Sequence, residues 1–407
     1  MMTFQDILNF CRSSFTEKEK GTKFEKIMCA WLKTDPRFNE LQSVWMWEDF
    51  PSRKDFGGKD IGIDLVARTE TGDYWAIQCK CYAETATIDK PAVDSFLSTS
   101  AKAFTDPETL QTVRFAHRVW ISTTNHWGTN AEQAIQNQNP PVTRINLADL
   151  TASAVDWEQL YNGIAGTQAR TAKKQPLEHQ RTAIEKARQH FIEQGNDRGK
   201  LIMACGTGKT YTSLKTVEAL LNNHGLVLFL VPSISLLGQT LNEWSADAEK
   251  PIKAICICSD STASRNRKKD DDDPTFSAID LALPATTDPR NISKQLRRYR
   301  NHDGLVVVFS TYQSIEAVFE AQQQILLDTN GQYGTFDFIV CDETGQLRHF
   351  RPIGGILSAR QSQINQTSSN FIDTVDTESA DGLPGLVSRI ESGKLFCDSR
   401  QRLRGGQ

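Results

Sequence analysis

The sequence contains no apolar run that approaches the ~20 residues needed to cross a lipid bilayer. Its first residues, MMTFQDILNFCRSSF, lack a basic stretch followed by an apolar core and a cleavage site, so no secretory signal peptide is expected. A net charge of -4 provides no overall positive field that would attract nucleic acid, although local basic patches are still compatible with DNA binding. We therefore expect a cytoplasmic globular protein.

The nine cysteines are scattered and lack the two-residue spacing of zinc-binding pairs. The closest pairs, Cys79/Cys81 and Cys256/Cys258, are separated by a single residue. On a strand this spacing puts both thiols on one face, which suits packing. We expect reduced, mostly buried cysteines and no zinc site.

The chain of 407 residues is long enough for two or three domains. Residues 1–161 alternate between helical and strand patterns, which predicts an α/β domain with a small mixed sheet. Its first long helix, around GTKFEKIMCAWLK, carries Phe24, Ile27, Met28 and Trp31 on one face. Residues 162–175 are small and polar and are interpreted as a linker.

Residues 176–345 contain short apolar, β-branched runs separated by helical patterns. Runs of this kind are typical of a parallel sheet that is buried on both faces, so a second α/β domain is expected here. Residues 346–407 have a thinner apolar pattern, and we expect a polar, weakly ordered tail.

A phosphate-binding loop is the strongest motif in the second domain. LIMACGTGKT (201–210) is an apolar run leading into a glycine-bearing loop, then Lys-Thr and a helical pattern. The glycines allow backbone N–H groups to surround phosphate at a helix N-terminus. Lys209 is expected to reach the β- and γ-phosphates, and Thr210 to bind Mg²⁺. The expected nucleotide-binding residues are Gly206, Thr207, Gly208, Lys209 and Thr210. The alternative is an incidental glycine turn.

Met203 replaces the first glycine of the full phosphate-loop pattern, and this variant resembles motif I of superfamily 2 helicases. In FDFIVCDE, an apolar run ends in two acids: Asp342 is expected to hold Mg²⁺, and Glu343 to activate the attacking water. The resemblance also implies that Gln180 reads adenine. Two further segments, FLVPSISLLGQTLNEW and VFSTYQSIEAV, resemble the helicase segments that contact the DNA backbone. A surface Asp-Glu pair is the alternative for the two acids.

A predicted hairpin in the first domain, GIDLVARTETGDYWAIQCK, gathers three polar residues. Gln78 and Lys80 share one face of a strand, and Asp64 becomes the cross-strand neighbour of Gln78 if the loop has an odd length. A surface salt bridge between Asp64 and Lys80 is the simpler alternative. Both charges lie within apolar runs, however, which favours a functional site.

This constellation resembles the Mrr-like branch of the PD-(D/E)xK nucleases, in which glutamine replaces the second acid. The resemblance implies that Asp64 and the Cys79 carbonyl bind Mg²⁺ and that Lys80 positions the water. It also implies that Glu25 is the acid supplied by the first helix, with Asp60 as a possible additional acid.

The whole arrangement resembles the N-terminal part of type ISP restriction–modification enzymes and related restriction helicases. The resemblance implies a bacterial, Mg²⁺-dependent endonuclease of double-stranded DNA joined to the first RecA-like, ATP-binding lobe of a helicase. Its expected partners are a second helicase lobe and a methyltransferase or specificity subunit, both separately encoded. The alternatives are a DNA- and nucleotide-binding remnant that does not cut, and a DNA-repair nuclease–helicase.

The end of the sequence departs from that family. Only 64 residues follow Glu343, whereas a second lobe needs about 100–150. Thr344-Gly345 stands where the family has Ala-His. We therefore expect an incomplete product that binds ATP and hydrolyses it poorly on its own, because helicase-type hydrolysis occurs between two lobes.

Overall fold

The computed structural model of the protein describes residues 2–57, 62–259, 276–342 and 395–399. Contacts divide the chain into two compact units. The first unit consists of Met1–Gln175, Ile234–Thr286 and Asn301–Leu305. The second unit consists of Pro176–Ser233, Thr287–Arg300 and the part of the chain from Val306 onward. None of the helices in these described ranges is long and apolar enough to span a membrane.

The first unit opens with two capped helices. Its helices are α1 (Phe4–Ser14), α2 (Glu17–Leu32), α3 (Lys90–Ser100), α4 (Thr129–Ile135), α5 (Leu147–Thr151), α6 (Trp157–Tyr161) and α9 (Ile234–Asp247). α1 and α2 each begin with a capping box, in which a threonine and the acid three residues later satisfy first-turn amides. The predicted apolar face of α2 is confirmed, because all four of its named residues are buried.

The first unit contains a mixed sheet, as predicted. The strands of the unit are β1 (Leu41–Met46), β2 (Leu65–Thr69), β3 (Tyr74–Lys80), β4 (Thr87–Ile88), β5 (Ala103–Thr105), β6 (Thr112–Ser122), β7 (His126–Trp127), β8 (Val142–Ile145) and β11 (Lys253–Ile257). Of these, β4 and β7 pair with each other in a separate two-stranded sheet, and β11 is not part of the mixed sheet. The main sheet has the order β1-β2-β3-β6-β5, and β8 also pairs with β6. The β1-β2 and β2-β3 pairs are antiparallel, whereas β3-β6 and β6-β8 are parallel.

The segment Ile234–Thr286, assigned from sequence to the ATP-binding domain, packs within the first unit. Specific polar contacts hold it there. Arg37 Nη1 donates a hydrogen bond of 3.1 Å to Asn242 Oδ1 on α9. Lys253 on β11 forms an ion pair of 2.6 Å with Glu70, and Arg144 on β8 pairs with Asp280. Hydrophobic periodicity carries no information about such charge pairs between distant segments.

The expected linker, residues 162–175, is anchored to the first unit. The Arg170 guanidinium donates hydrogen bonds of 2.7 Å to the Thr34 carbonyl and to Asn39 Oδ1. The Gly166 amide donates to Thr34 Oγ1 at 2.8 Å. The polar composition of residues 162–175 therefore does not mean that the segment is free, because its backbone and side-chain groups form hydrogen bonds with the first unit.

The second unit is built on parallel strands. Its elements are α7 (Glu178–Arg188), β9 (Arg198–Ile202), α8 (Lys209–Leu221), β10 (Gly225–Val231), α10 (Pro289–Tyr299), β12 (Leu305–Thr311, whose first residue counts with the first unit), α11 (Ile315–Asp328), β13 (Phe338–Asp342) and β14 (Leu395–Ser399). These strands lie in the order β12-β10-β13-β14-β9. The pairs β10-β13, β13-β14 and β14-β9 are all parallel, as predicted.

Two details of this sheet differ from the sequence pattern. β9 was expected to be buried on both faces, but Ile202 is 52% exposed because β9 ends the strand order. β14 comes from the segment expected to be a weakly ordered tail, and it lies between β13 and β9. The rest of that predicted tail, residues 346–394 and 400–407, lies outside the described residues.

Candidate nuclease and nucleotide sites

The β2-β3 hairpin places Asp64 opposite Gln78. Leu65 pairs with Ile77, and the register continues by one residue to the Asp64–Gln78 position. The turn closes through a hydrogen bond of 2.9 Å from the Thr69 amide to the Asp73 carbonyl. The predicted cross-strand relationship between Asp64 and Gln78 is thus present in the structure.

Two donors fix one oxygen of the Asp64 carboxylate. Gln78 Nε2 donates a hydrogen bond to Asp64 Oδ2. The Cys79 amide donates to the same oxygen at 2.6 Å. Gln78 is only 2% exposed, so its amide is held in a buried position beside the acid. The carboxylate is therefore oriented by the protein before any ligand binds.

The Cys79 thiol lies within the electrostatic reach of the other candidate residues. Burial is the main reason that the pKa of this thiol is raised well above its ordinary value. The negative charges of Asp64 and Glu25 raise it further, and the positive charge of Lys80 partly opposes them. The charges of Glu25, Asp64 and Lys80 therefore all act on the same buried thiol.

The backbone of β3 turns the Cys79 carbonyl to the side of the strand on which β2 lies. The Ile77 carbonyl accepts a hydrogen bond from the Asp64 amide at 2.9 Å. In an extended strand, alternate residues turn their N–H and C=O groups to the same neighbour, so Cys79 faces the same side as Ile77. The Lys80 carbonyl faces the other side, where it accepts a hydrogen bond of 3.1 Å from the Thr123 amide.

The ligands expected here for a hard divalent cation are the Asp64 and Glu25 carboxylates and the Cys79 carbonyl, and all of them are oxygen ligands. Within the described ranges, no group of three or more His, Cys, Asp or Glu side chains could hold a metal ion. A cation at this site would therefore depend on the carbonyl as well as on Asp64 and Glu25. Asp60, the possible additional acid, lies outside the described residues.

Ser95 on α3 is a neighbour of this site that sequence reasoning missed. A Cβ atom on Gly62 would lie 3.4 Å from Ser95 Oγ and 3.5 Å from Gln78 Oε1. The serine hydroxyl and the Gln78 amide oxygen therefore flank the same glycine. No sequence signal connects these residues, because α3 reaches the hairpin only in the folded chain.

In the second unit, residues 203–208 form a loop that ends at the N-terminus of α8. Gly206 and Gly208 have φ values of +76° and +78°, which favour glycine. Thr207 Oγ1 donates to the Ala204 carbonyl at 2.7 Å, and Lys209 Nζ donates to the Met203 carbonyl at 3.2 Å. The loop thus has the predicted position, between a strand and a helix N-terminus.

Gln180 supports this loop from α7. Its Nε2 donates to the Thr207 carbonyl at 2.9 Å, and its Oε1 accepts a hydrogen bond from the Leu177 amide at 2.9 Å. A Cβ atom on Gly208 would lie only 2.5 Å from Gln180 Nε2, so a side chain there would displace the Gln180 amide. His179 Nε2 also lies 3.2 Å from the Thr207 carbonyl, a contact that the sequence did not indicate. Adenine reading by Gln180 stays a prediction.

Asp342 ends β13 at the same edge of the sheet as the phosphate loop. In the parallel register, Asp342 is level with Asp398 of β14, which in turn is level with Leu201 of β9. Tyr312 Oη donates a hydrogen bond of 2.8 Å to the Asp342 carbonyl, a support that sequence reasoning missed. Glu343, the predicted activator of water, lies outside the described residues.

Comparisons with known proteins identify both regions. Residues 33–167 match the family model of a restriction endonuclease, and residues 173–372 match that of the type III restriction enzyme res subunit. No curated protein matches the sequence.

Among solved structures, the chain resembles the ATP-dependent type ISP restriction–modification enzyme LlaBIII bound to DNA. Sequence identity is 30% and the TM-score is 0.69, over 98% of this chain and 22% of LlaBIII. A nuclease-deletion mutant of the type ISP enzyme LlaGI, in complex with a DNA substrate mimic, matches at 34% identity. That match covers 56% of this chain and 17% of LlaGI, with a TM-score of 0.36. The chain therefore spans about a fifth of the length of these enzymes. It joins a restriction endonuclease domain to a helicase domain of the type III restriction enzyme family, in an arrangement similar to that of type ISP restriction–modification enzymes.

Proposed function

We propose that this chain cuts double-stranded DNA in a Mg²⁺-dependent reaction and binds ATP, as part of a restriction system. The main support is the Asp64 carboxylate, which hydrogen bonds from Gln78 and the Cys79 amide hold in place. The charges of Glu25 and Lys80 act on the thiol of the adjacent Cys79. An oriented carboxylate with an acid and a lysine in its surroundings suits phosphodiester hydrolysis. The restriction endonuclease match over this region supports the same reaction.

In this proposal each residue of the hairpin has one task. Asp64, Glu25 and the Cys79 carbonyl hold Mg²⁺, and Gln78 keeps the Asp64 carboxylate turned towards it. When bound, Mg²⁺ polarises the phosphate and lowers the pKa of a coordinated water. The Lys80 ammonium positions the attacking water and offsets negative charge that develops on the phosphate.

The ATP-binding part of the proposal rests on the loop before α8. Backbone amides of Gly206, Thr207 and Gly208 surround the phosphates at the helix N-terminus. Lys209 neutralises the terminal phosphates, while Thr210 and Asp342 hold Mg²⁺. Glu343 activates the hydrolytic water, and Gln180 contributes to adenine recognition. The res-subunit match over this region supports the assignment.

We also propose that the chain acts together with a second helicase lobe and a methyltransferase or specificity module. ATP hydrolysis by enzymes of this type occurs between two lobes, and recognition of a DNA sequence needs a separate reader. These components belong either to the same polypeptide or to another subunit.

Incubation of supercoiled plasmid with the purified chain tests the proposed cleavage. We expect nicked and linear DNA with Mg²⁺ and no cleavage after chelation with EDTA. A mobility shift of the same DNA without any cleavage in Mg²⁺ would instead favour the DNA-binding remnant that does not cut. Omitting ATP from a parallel reaction separates the nuclease from the nucleotide requirement.

A further inference from the structure

Helix α10 has one apolar face and one strongly basic face. Its buried residues are Ile292, Ser293, Leu296 and Tyr299. The buried face contacts α11, where Ser293 Oγ donates a hydrogen bond of 3.1 Å to Gln324 Oε1. The opposite face carries exposed Arg290, Lys294, Arg297 and Arg300, together with partly buried Arg298. No acidic residue occurs between Pro289 and His302.

The cations near the end of α10 have structural explanations. Arg297 forms an ion pair with Asp328 on α11, and Arg300 donates to Gln332 Oε1 at 3.2 Å. Cations at a helix C-terminus are also stabilised by the helix dipole. These residues therefore do not by themselves indicate a partner.

Arg290 and Lys294 have no such explanation. Arg290 is in the first helical turn, where the helix dipole disfavours a positive charge. Lys294 is four residues from Arg290, so these two like charges repel each other along one side of the helix, where Arg298 lies a further four residues on. Within the described part of the chain, neither Arg290 nor Lys294 has an ion-pair partner. The adjacent Asp288 carboxylate caps the helix by accepting a hydrogen bond of 3.0 Å from the Arg290 amide.

The basic stripe formed by Arg290, Lys294 and Arg298 on α10 has a length that suits a nucleic-acid strand. From Arg290 to Arg298 the helix rises about 12 Å, at 1.5 Å per residue. A DNA strand carries one phosphate charge per about 3.4 Å along its axis, so this length faces three or four phosphates. The negative charges of the phosphates would reduce the repulsion between the cations of α10, whereas an apolar partner would leave this repulsion unchanged.

We infer that the Arg290–Lys294–Arg298 stripe of α10 binds the phosphate backbone of DNA. This inference rests on the proposed function, because it concerns the same DNA. The stripe is separate from the two segments that resemble backbone-contacting helicase motifs, since α10 lies between them in the sequence. Contacts to phosphate do not distinguish one base sequence from another, so the stripe increases the affinity for all DNA sequences equally.

The salt dependence of DNA binding by the full chain tests this inference. The variants are R290Q/K294Q, which removes two charges, and R290K/K294R, which keeps both. Binding of a fluorescent duplex is measured by anisotropy between 50 and 300 mM KCl in the presence of EDTA. Thermal unfolding shows whether each variant is folded.

We expect the slope of log K against log salt concentration to fall in magnitude by about 1.8 in R290Q/K294Q, at ~0.9 for each lost phosphate contact. R290K/K294R should keep the parental slope. An unchanged slope in R290Q/K294Q, while the parent binds DNA, overturns the role of α10 alone. Absence of DNA binding by the parent overturns the proposed function and this inference with it.

Discussion

The side-chain amide of Gln78 donates a hydrogen bond to the carboxylate of Asp64 across the two strands of one hairpin. An acid at position 78 could not make this contact without placing two carboxylates side by side. The glutamine therefore orients the half-buried Asp64 carboxylate without placing a second negative charge beside it. This relationship leads to the first prediction.

Gln78→Glu should make stability depend on pH in a defined direction. The new carboxyl lies against Asp64, so the folded-state pKa of the pair is raised above the unfolded value of about 4.3. Near pH 4 the added carboxyl is protonated in both states and costs little. As pH rises through the folded-state pKa, the variant loses about 1.4 kcal/mol for each unit of the pKa rise.

Urea unfolding at pH 4 and pH 7 measures this difference, with Gln78→Met as the control that lacks a titratable group. A Gln78→Glu penalty of equal size at both pH values would show that the two side chains do not interact in the folded protein.

Removal of one partner of the buried Asp35–Arg37 ion pair should strongly destabilise the first unit. The pair has an N–O distance of 2.7 Å, and both side chains are almost fully buried. Burial alone would raise the pKa of Asp35, but the Arg37 charge and hydrogen bonds from Arg37 and Ser153 together lower it. Arg37→Met leaves an unpaired buried carboxylate and should cost about 3–5 kcal/mol at pH 7.

The double variant D35N/R37M should be less destabilised than R37M, because it leaves no buried charge unpaired. For Asp35→Asn, the lowered folded-state pKa means that the loss is complete above the unfolded pKa of about 3.9 and shrinks at lower pH. Chemical unfolding across this pH range checks both statements. A double variant as unstable as the sum of the two single changes would contradict the ion-pair account.

Gly208→Ala should impair nucleotide binding. The position has a φ of +78°, and the added Cβ atom would lie 2.5 Å from Gln180 Nε2. Strain of roughly 1–2 kcal/mol from the left-handed conformation corresponds to about a 5- to 30-fold loss of affinity where the bound loop must keep this conformation. Titration with a fluorescent ATP analogue measures the loss.

The variant G208A/Q180A, compared with Q180A alone, serves as the control for Gly208→Ala, since the collision is absent from both and only the double variant carries the backbone strain. In the Q180A background, Gly208→Ala should still lower the affinity, by the part that is due to strain. Parental affinity in Gly208→Ala itself would show that this loop does not need its present backbone conformation to bind nucleotide.

Cysteine alkylation provides an independent test of the same loop. Cys205 lies within it and is exposed. Cys79 and Cys256 are buried, and burial raises the pKa of both thiols well above the ordinary value. Iodoacetamide at pH 8 should therefore label Cys205 and leave the other two unmodified, because the thiolate is the reactive form.

Mg²⁺-ATP should slow the labelling of Cys205 at least severalfold, as measured by mass spectrometry of digested protein. Cys79 and Cys256 are internal controls for unfolding. Equal labelling rates of Cys205 with and without saturating nucleotide would contradict phosphate binding at this loop.

The local sequence patterns predicted the chemistry-bearing elements because each depends on a few adjacent residues. The alternation around Gln78 and Lys80 fixed their shared face, and the glycines of the 203–208 loop fixed its turn. The positions of Ser95, Tyr312 and Asn242 could not be predicted, since their contacts join segments far apart in the chain. The Lys253–Glu70 ion pair likewise joins residues far apart in the chain, and no periodicity reveals it.

Plasmid nicking by three single variants tests the central claim, that Asp64 and Lys80 form the nuclease site. Asp64→Asn and Lys80→Met should each reduce the Mg²⁺-dependent nicking rate by at least a hundredfold while the protein remains folded. Asp73→Asn removes the acid at the other end of the same hairpin and should retain the parental rate. Nicking by Asp64→Asn at the parental rate, or equal losses in all three variants, would contradict the account.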